Sequence, residues 1–97
     1  MEAKAKILVV DDDKEIADLV EIHLVSEGYE VRKANDAVTG LAILKSEEDI
    51  SLAILDIMMP GMDGLSMVKK IRETSHIPVI MLSAKSTDLD KIVGLGN

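Results

Sequence analysis

The chain reads as an α/β domain built on a parallel sheet. Three features of the sequence lead there. Ile7-Leu8-Val9-Val10, Leu52-Ala53-Ile54-Leu55 and Val79-Ile80-Met81-Leu82 are short apolar runs without polar alternation, the pattern of strands covered on both faces. Between them, apolar residues recur every three or four positions, the period of a helix that buries one side. Strand and helix patterns alternate along the chain, four of each, which implies βαβ units with right-handed crossovers. Ninety-seven residues make one domain, residues 1–97.

In order, Lys6-Ile7-Leu8-Val9-Val10 forms the first strand and ends in Asp11-Asp12-Asp13. Asp13 can cap a helix over residues 14–27, in which Ile16, Leu19, Val20, His23 and Leu24 stand at helical spacing, and Gly28 stops it. Tyr29-Glu30-Val31-Arg32-Lys33 alternates, as a half-exposed edge strand does. Asn35 or Asp36 can cap a second helix to about Lys45, with Ala37, Leu41 and Leu44 inward. Glu47-Glu48-Asp49 reads as a solvated loop. The central strand, residues 52–55, runs into Asp56 and is broken by Pro60-Gly61, and Asp63-Gly64 is a second turn signal. A third helix follows from about Leu65 to Glu73 or Thr74, with Leu65, Val68 and Ile71 inward. His76-Ile77-Pro78 leads into the fourth strand, residues 79–82. Thr87 or Asp88 can cap a last helix that contains Leu89, Ile92 and Val93.

Composition narrows the function. The chain is 47% hydrophobic and 30% charged, a globular balance and not a disordered one. Tyr29 is the sole aromatic residue, so the core is aliphatic, drawn from Ile, Leu, Val, Ala and six Met. The net charge of -7 argues against direct nucleic-acid binding, which needs a basic face. With no cysteine there is no disulfide framework and no thiol chemistry. Residues 7–10 are too short for a signal segment or a membrane span. A cytoplasmic protein is expected.

The strand ends carry the chemistry. In an open parallel sheet the C-terminal strand ends share one edge, where ligands bind. The first strand brings Asp11 and Asp12 there, the third brings Asp56 and the fourth brings Ser83. If strands one and three are neighbours, three carboxylates converge. Like charges so close raise one another's pKa unless a cation neutralises them. A hard divalent cation fits, and Mg²⁺ holds few carboxylates and keeps waters for phosphate. A carboxylate can attack phosphorus to give an aspartyl phosphate, with the metal offsetting the charge on the transferring group.

Each residue also has a plainer reading. An Asp after an apolar strand serves as a turn residue or cap. Asp11-Asp12-Asp13 can be a charge cluster at a helix start. Ser83 can be a loop hydroxyl, Asp63 a cap, Lys85 a solvated charge and Met58-Met59 packing. His23 and His76 have no second His or Cys at ligand spacing, so they read as surface or boundary residues. The functional reading rests on conjunction, because all these groups fall at one edge.

Ile7-Leu8-Val9-Val10-Asp11-Asp12-Asp13, Leu55-Asp56-Ile57-Met58-Met59-Pro60-Gly61-Met62-Asp63-Gly64 and Pro78-Val79-Ile80-Met81-Leu82-Ser83-Ala84-Lys85 resemble the receiver domain of two-component response regulators. They look most like the subfamily whose full-length members carry a winged-helix DNA-binding domain. The resemblance spans the whole chain, with three motifs in the family's order. It implies a flavodoxin-like, doubly wound sheet of strand order 2-1-3-4, a (βα)4 fragment of a (βα)5 fold. It implies that Asp56 accepts a phosphoryl group from a sensor histidine kinase. It further implies that Asp11, Asp12 and Asp56 hold Mg²⁺ with the backbone carbonyl of Met58. Ser83 matches the switch hydroxyl, and Pro60 and Gly61 match the loop that shapes the pocket.

The sequence departs from the family at its end. The resemblance calls for a fifth strand, carrying a lysine and an aromatic switch residue, and a fifth helix. Lys85 follows strand four and does not stand where that lysine should. An open apolar edge on strand four is a template for pairing, so a homodimer or strand-exchanged oligomer through it is expected. Two other functions compete. A phosphatase of the haloacid dehalogenase type would use Asp11-x-Asp13, but position 15 is Glu and Asp56 would have no role. A structural or assembly fragment would carry the site in incomplete form. A flavin binder of the same fold class is disfavoured, since three Asp in the first loop would repel the flavin phosphate.

Overall fold

The structure is a computed structural model that describes residues 5–57 and 63–82. Its elements are β1 (Lys6–Val10), α1 (Lys14–Ser26), β2 (Glu30–Ala34), α2 (Ala37–Ser46), β3 (Ile50–Asp56), α3 (Gly64–Arg72) and β4 (Val79–Leu82). The four strands form one parallel sheet in the order β2-β1-β3-β4, the expected doubly wound arrangement. The anticipated fourth helix, with Thr87 or Asp88 as its cap, lies outside the described residues.

The unbroken apolar runs of β1 and β3 follow from burial on both faces, whereas the expected cover on both faces is not found at β4, where Ile80 is exposed. Side chains alternate along a strand. Leu8 and Val10 of β1 join Ala53 and Leu55 of β3 in a core with Ala37 of α2 and Met67 and Ile71 of α3. The intervening Ile7, Val9 and Ile54 face the other way, against Ala17 of α1. Leu8, Ala53, Leu55 and Met67 are fully buried, and each large side chain so placed contributes about 1.5–3 kcal/mol relative to exposure.

The helix starts follow the sequence closely. Asp13, Asp36 and Asp63 are the N-caps of α1, α2 and α3, each satisfying backbone N–H groups that the first helical turn leaves unpaired. Gly28, at φ 96°, turns the chain out of α1, a conformation that glycine adopts without a Cβ penalty.

Three expectations of facing need correction. Leu65 points outward and is 60% exposed, whereas Gly64 and Met67 are buried. The cap at Asp63 starts α3 at Gly64, and this phase puts residues 64, 67, 68 and 71 on the sheet side. In α1 the buried residue is Ala17, while Leu19 is exposed; His23 is exposed too, as its reading as a surface residue has it. Glu47 is not a solvated loop residue. It accepts hydrogen bonds from Lys6 Nζ at 2.8 Å and Arg32 Nε at 3.0 Å, tying the starts of β1 and β3 to β2. These paired cations hold its carboxyl below the usual range, Lys6 contributing most.

Candidate functional site

The register of the sheet builds the site. Val10 of β1 pairs with Leu55 of β3, so the next residues, Asp11 and Asp56, leave the sheet side by side. Asp11 is held in the plane of the sheet by its backbone N–H, which donates to Ala34 O of β2 at 3.1 Å. Asp56 is the last residue of β3 and stands opposite Leu82 of β4. Ile57 N–H donates to Leu82 O at 2.9 Å, and Gly64 N–H donates to Ile57 O at 3.0 Å. Strand and helix therefore grip the backbone just after Asp56. Gly64, which the sequence presents only as half of a turn signal, is the buried first residue of α3.

Asp11 and Asp56 are both buried, at 1% and 2% exposure, and Asp12 is exposed. Carboxylate oxygens of the three lie within 4.8 Å of one another. Asp13 is turned to another task, since its Oδ1 accepts from Glu15 N–H at 3.0 Å as the cap of α1. Asp11 Oδ1 accepts from Asp13 N–H at 2.8 Å. Among the described residues its Oδ2 is buried without a hydrogen-bond partner. Burial pushes the Asp11 carboxyl above its ordinary value, and the negative charges of Asp12 and Asp13 push the same way against the Asp13 N–H bond.

An orphaned buried carboxylate oxygen beside two further carboxylates is costly as it stands. The three carboxylates match the donor set that a hard divalent cation takes. Asp11, Asp12 and Asp56 thus fit a Mg²⁺ site by their own chemistry. The other site residues expected from the sequence, Met58, Pro60, Gly61 and Ser83, lie outside the described residues, as does Lys85. His23 and His76 are exposed and, among the described residues, belong to no such cluster.

Residues 7–96 match the response regulator receiver domain family, and the chain belongs to it. The chain is 52% identical over 90 residues to the regulatory protein VanR of Enterococcus faecium and 50% identical over 90 residues to the regulatory protein VanRc of Enterococcus gallinarum. Each match takes in 93% of this chain and 38% of the relative, so the chain spans well under half of those proteins. Among solved structures, the chemotaxis protein CheY4 of Vibrio cholerae superposes with a TM-score of 0.81 at 34% identity, covering 97% of this chain and 80% of that one. The fold is accordingly the flavodoxin-like fold of receiver domains. The general function of the family is phosphotransfer signalling, with Mg²⁺ bound at the acidic site.

Proposed function

We propose that Asp56 of this chain takes a phosphoryl group from a phosphohistidine of a sensor histidine kinase in a Mg²⁺-dependent reaction. The observation that carries the reading is the meeting of buried Asp56 with Asp11 and Asp12 within 4.8 Å. An Asp56 carboxylate oxygen bonds to phosphorus while the phosphorus–nitrogen bond breaks. The imidazole nitrogen leaves with the electron pair and is protonated, and Asp56 becomes an acyl phosphate. Asp11, Asp12, Asp56 and the backbone carbonyl of Met58 would hold the ion, which supplies charge compensation for the phosphoryl oxygens. Ser83 is assigned the hydrogen bond to the phosphoryl group.

On this reading the protein is a substrate and a switch more than an enzyme. Altered contacts near Ser83 then change which partners bind. For the whole protein we infer a cytoplasmic transcription regulator of the winged-helix subfamily; the similarity to two regulatory proteins supports the regulatory part of that reading. A second copy is assigned to the outer edge of β4, which among the described residues pairs only with β3 and carries the 48%-exposed Ile80. A compact monomer in sedimentation at micromolar concentration would remove that assignment.

No described helix is long and apolar enough to cross a membrane. The dehalogenase-type reading loses ground because Asp13, its second essential carboxylate, caps α1. Intact-protein mass after incubation with Mg²⁺ and acetyl phosphate tests the proposal. A phosphoryl adduct absent from Asp56→Asn supports it. No adduct in a folded, Mg²⁺-binding protein makes the chain a structural fragment with an incomplete site.

A further inference from the structure

We propose that Gly64 is a positioning residue for Asp56: its missing side chain lets the first turn of α3 press on the carbonyl of Asp56 and so fixes where that carboxylate stands. The inference rests on the phospho-acceptor reading above and adds to it a residue outside the acidic cluster.

Space, and not backbone freedom, is what position 64 requires. Among the described residues only Gly28 has a positive φ, so Gly64 sits in a conformation open to any residue. A helix start by itself would favour alanine there. Yet a Cβ at position 64 would lie 2.7 Å from Asp56 O, 3.0 Å from Ile57 Cα and 2.7 Å from Met81 Cε. The Met81 methyl can swing away. The two backbone atoms cannot, because Ile57 N–H is bonded to Leu82 O and Ile57 O to Gly64 N–H. An added methyl must therefore shift the Asp56 peptide or lift the start of α3, which Asp63 secures by accepting from Ser66 N–H at 2.8 Å. The first movement displaces Asp56 from Asp11 and Asp12, which follow β1 and stay behind, and the second breaks the Gly64 N–H bond to Ile57 O that grips the backbone just after Asp56.

Gly40 of α2 supplies the contrast. A Cβ there would lie 2.8 Å from both Met67 Cε and Val10 Cγ2. Both are side-chain atoms, and neither belongs to the site. Gly40→Ala strains the core and leaves the Asp56 peptide alone.

The experiment uses the full chain as wild type, Gly64→Ala, Gly40→Ala and the double variant Gly64→Ala with Met81→Ala. The double variant removes the side-chain obstacle and keeps the backbone one, so it gives a folded protein if the single variant does not fold. Each is titrated with MgCl₂ by amide and carbonyl NMR, and its urea midpoint is measured. Gly64→Ala is expected to shift the Asp56 carbonyl and Ile57 amide resonances and to weaken Mg²⁺ binding about ten- to a hundredfold, the range for removing a support behind a metal ligand. The double variant is expected to regain stability and not Mg²⁺ affinity. Gly40→Ala is expected to lose stability and keep its affinity. Wild-type affinity in either Gly64 variant would overturn the proposal. If wild type itself shows no saturable shifts at Asp11, Asp12 and Asp56, the metal-site reading falls instead.

Discussion

The substitution Asp11→Asn is expected to stabilise the metal-free protein while abolishing its response to Mg²⁺. It keeps shape and removes one charge. The amide oxygen of the variant can still accept from Asp13 N–H, as Asp11 Oδ1 does at 2.8 Å. What is lost is the cost of burying a charge and, after it, repulsion from the neighbouring carboxylates. Two unit charges separated by the 4.8 Å limit of the cluster repel by about 1 kcal/mol in bulk water and about 3.5 kcal/mol at an effective dielectric constant of about 20. Asp11 and Asp56 are buried, so a gain of about 1–3 kcal/mol is expected at neutral pH, within the span of those two limits. The sign follows from linkage. Folding raises the Asp11 carboxyl above its ordinary 3.8, so the folded state prefers the protonated form. Its stabilising contribution is complete below 3.8 and is lost as pH rises through the raised value. The advantage of the Asp11→Asn protein is therefore full at neutral pH and fades on acidification. Urea unfolding in EDTA and in Mg²⁺ measures both effects. Wild type at a hundredfold excess of Mg²⁺ over its dissociation constant gains about 2.7 kcal/mol, and the variant gains little. A variant less stable than wild type in EDTA, with an undiminished Mg²⁺ response, would refute the reasoning.

Further outcomes follow from the packing. Met67→Ala, at a fully buried position, is expected to cost about 2–5 kcal/mol in urea unfolding, whereas Leu65→Ala, at a 60%-exposed one, should stay within about 0.5 kcal/mol. Gly40→Ala is expected to cost about 1–3 kcal/mol through overpacking against Met67 and Val10. Glu47→Gln removes the negative charge shared by Lys6 and Arg32 and should lower the urea midpoint at neutral pH, by less in high salt. Because folding depresses the Glu47 carboxyl below its ordinary 4.5, its contribution is present above that value and lost as pH falls through the depressed one. Wild type and Glu47→Gln should therefore converge in acid.

Three strands were legible because each contains a short apolar run, and β1 and β4 fall on the residues that the runs mark; β2 was legible from its alternation. The acidic cluster was legible once β1 and β3 were taken as neighbours, since Asp11 and Asp56 directly follow paired residues. Helix facing was less so. In α3, Leu65, Val68 and Ile71 make a regular apolar stripe on paper, but the cap at Asp63 and the need for Gly64 to face β3 rotate Leu65 into solvent. In α1, Leu19, Ile22 and Val25 are all exposed, and hydrophobicity does not distinguish them from the inward Val20 and Leu24. Glu47 looked like part of a solvated acidic run because its partner Lys6 lies 41 residues away. The demand for glycine at 64 is also nonlocal, arising where α3 meets the ends of β3 and β4.

The central claim is that Asp56 is the residue that carries the phosphoryl group. The most direct measurement is borohydride reduction of the protein after incubation with acetyl phosphate and Mg²⁺, followed by peptide mass mapping, because reduction converts an aspartyl phosphate to homoserine. Homoserine at position 56, formed only when Mg²⁺ is present, is the expected result. Homoserine in place of Asp11 or Asp12 instead, or none at all in a folded protein that binds Mg²⁺, would contradict the assignment.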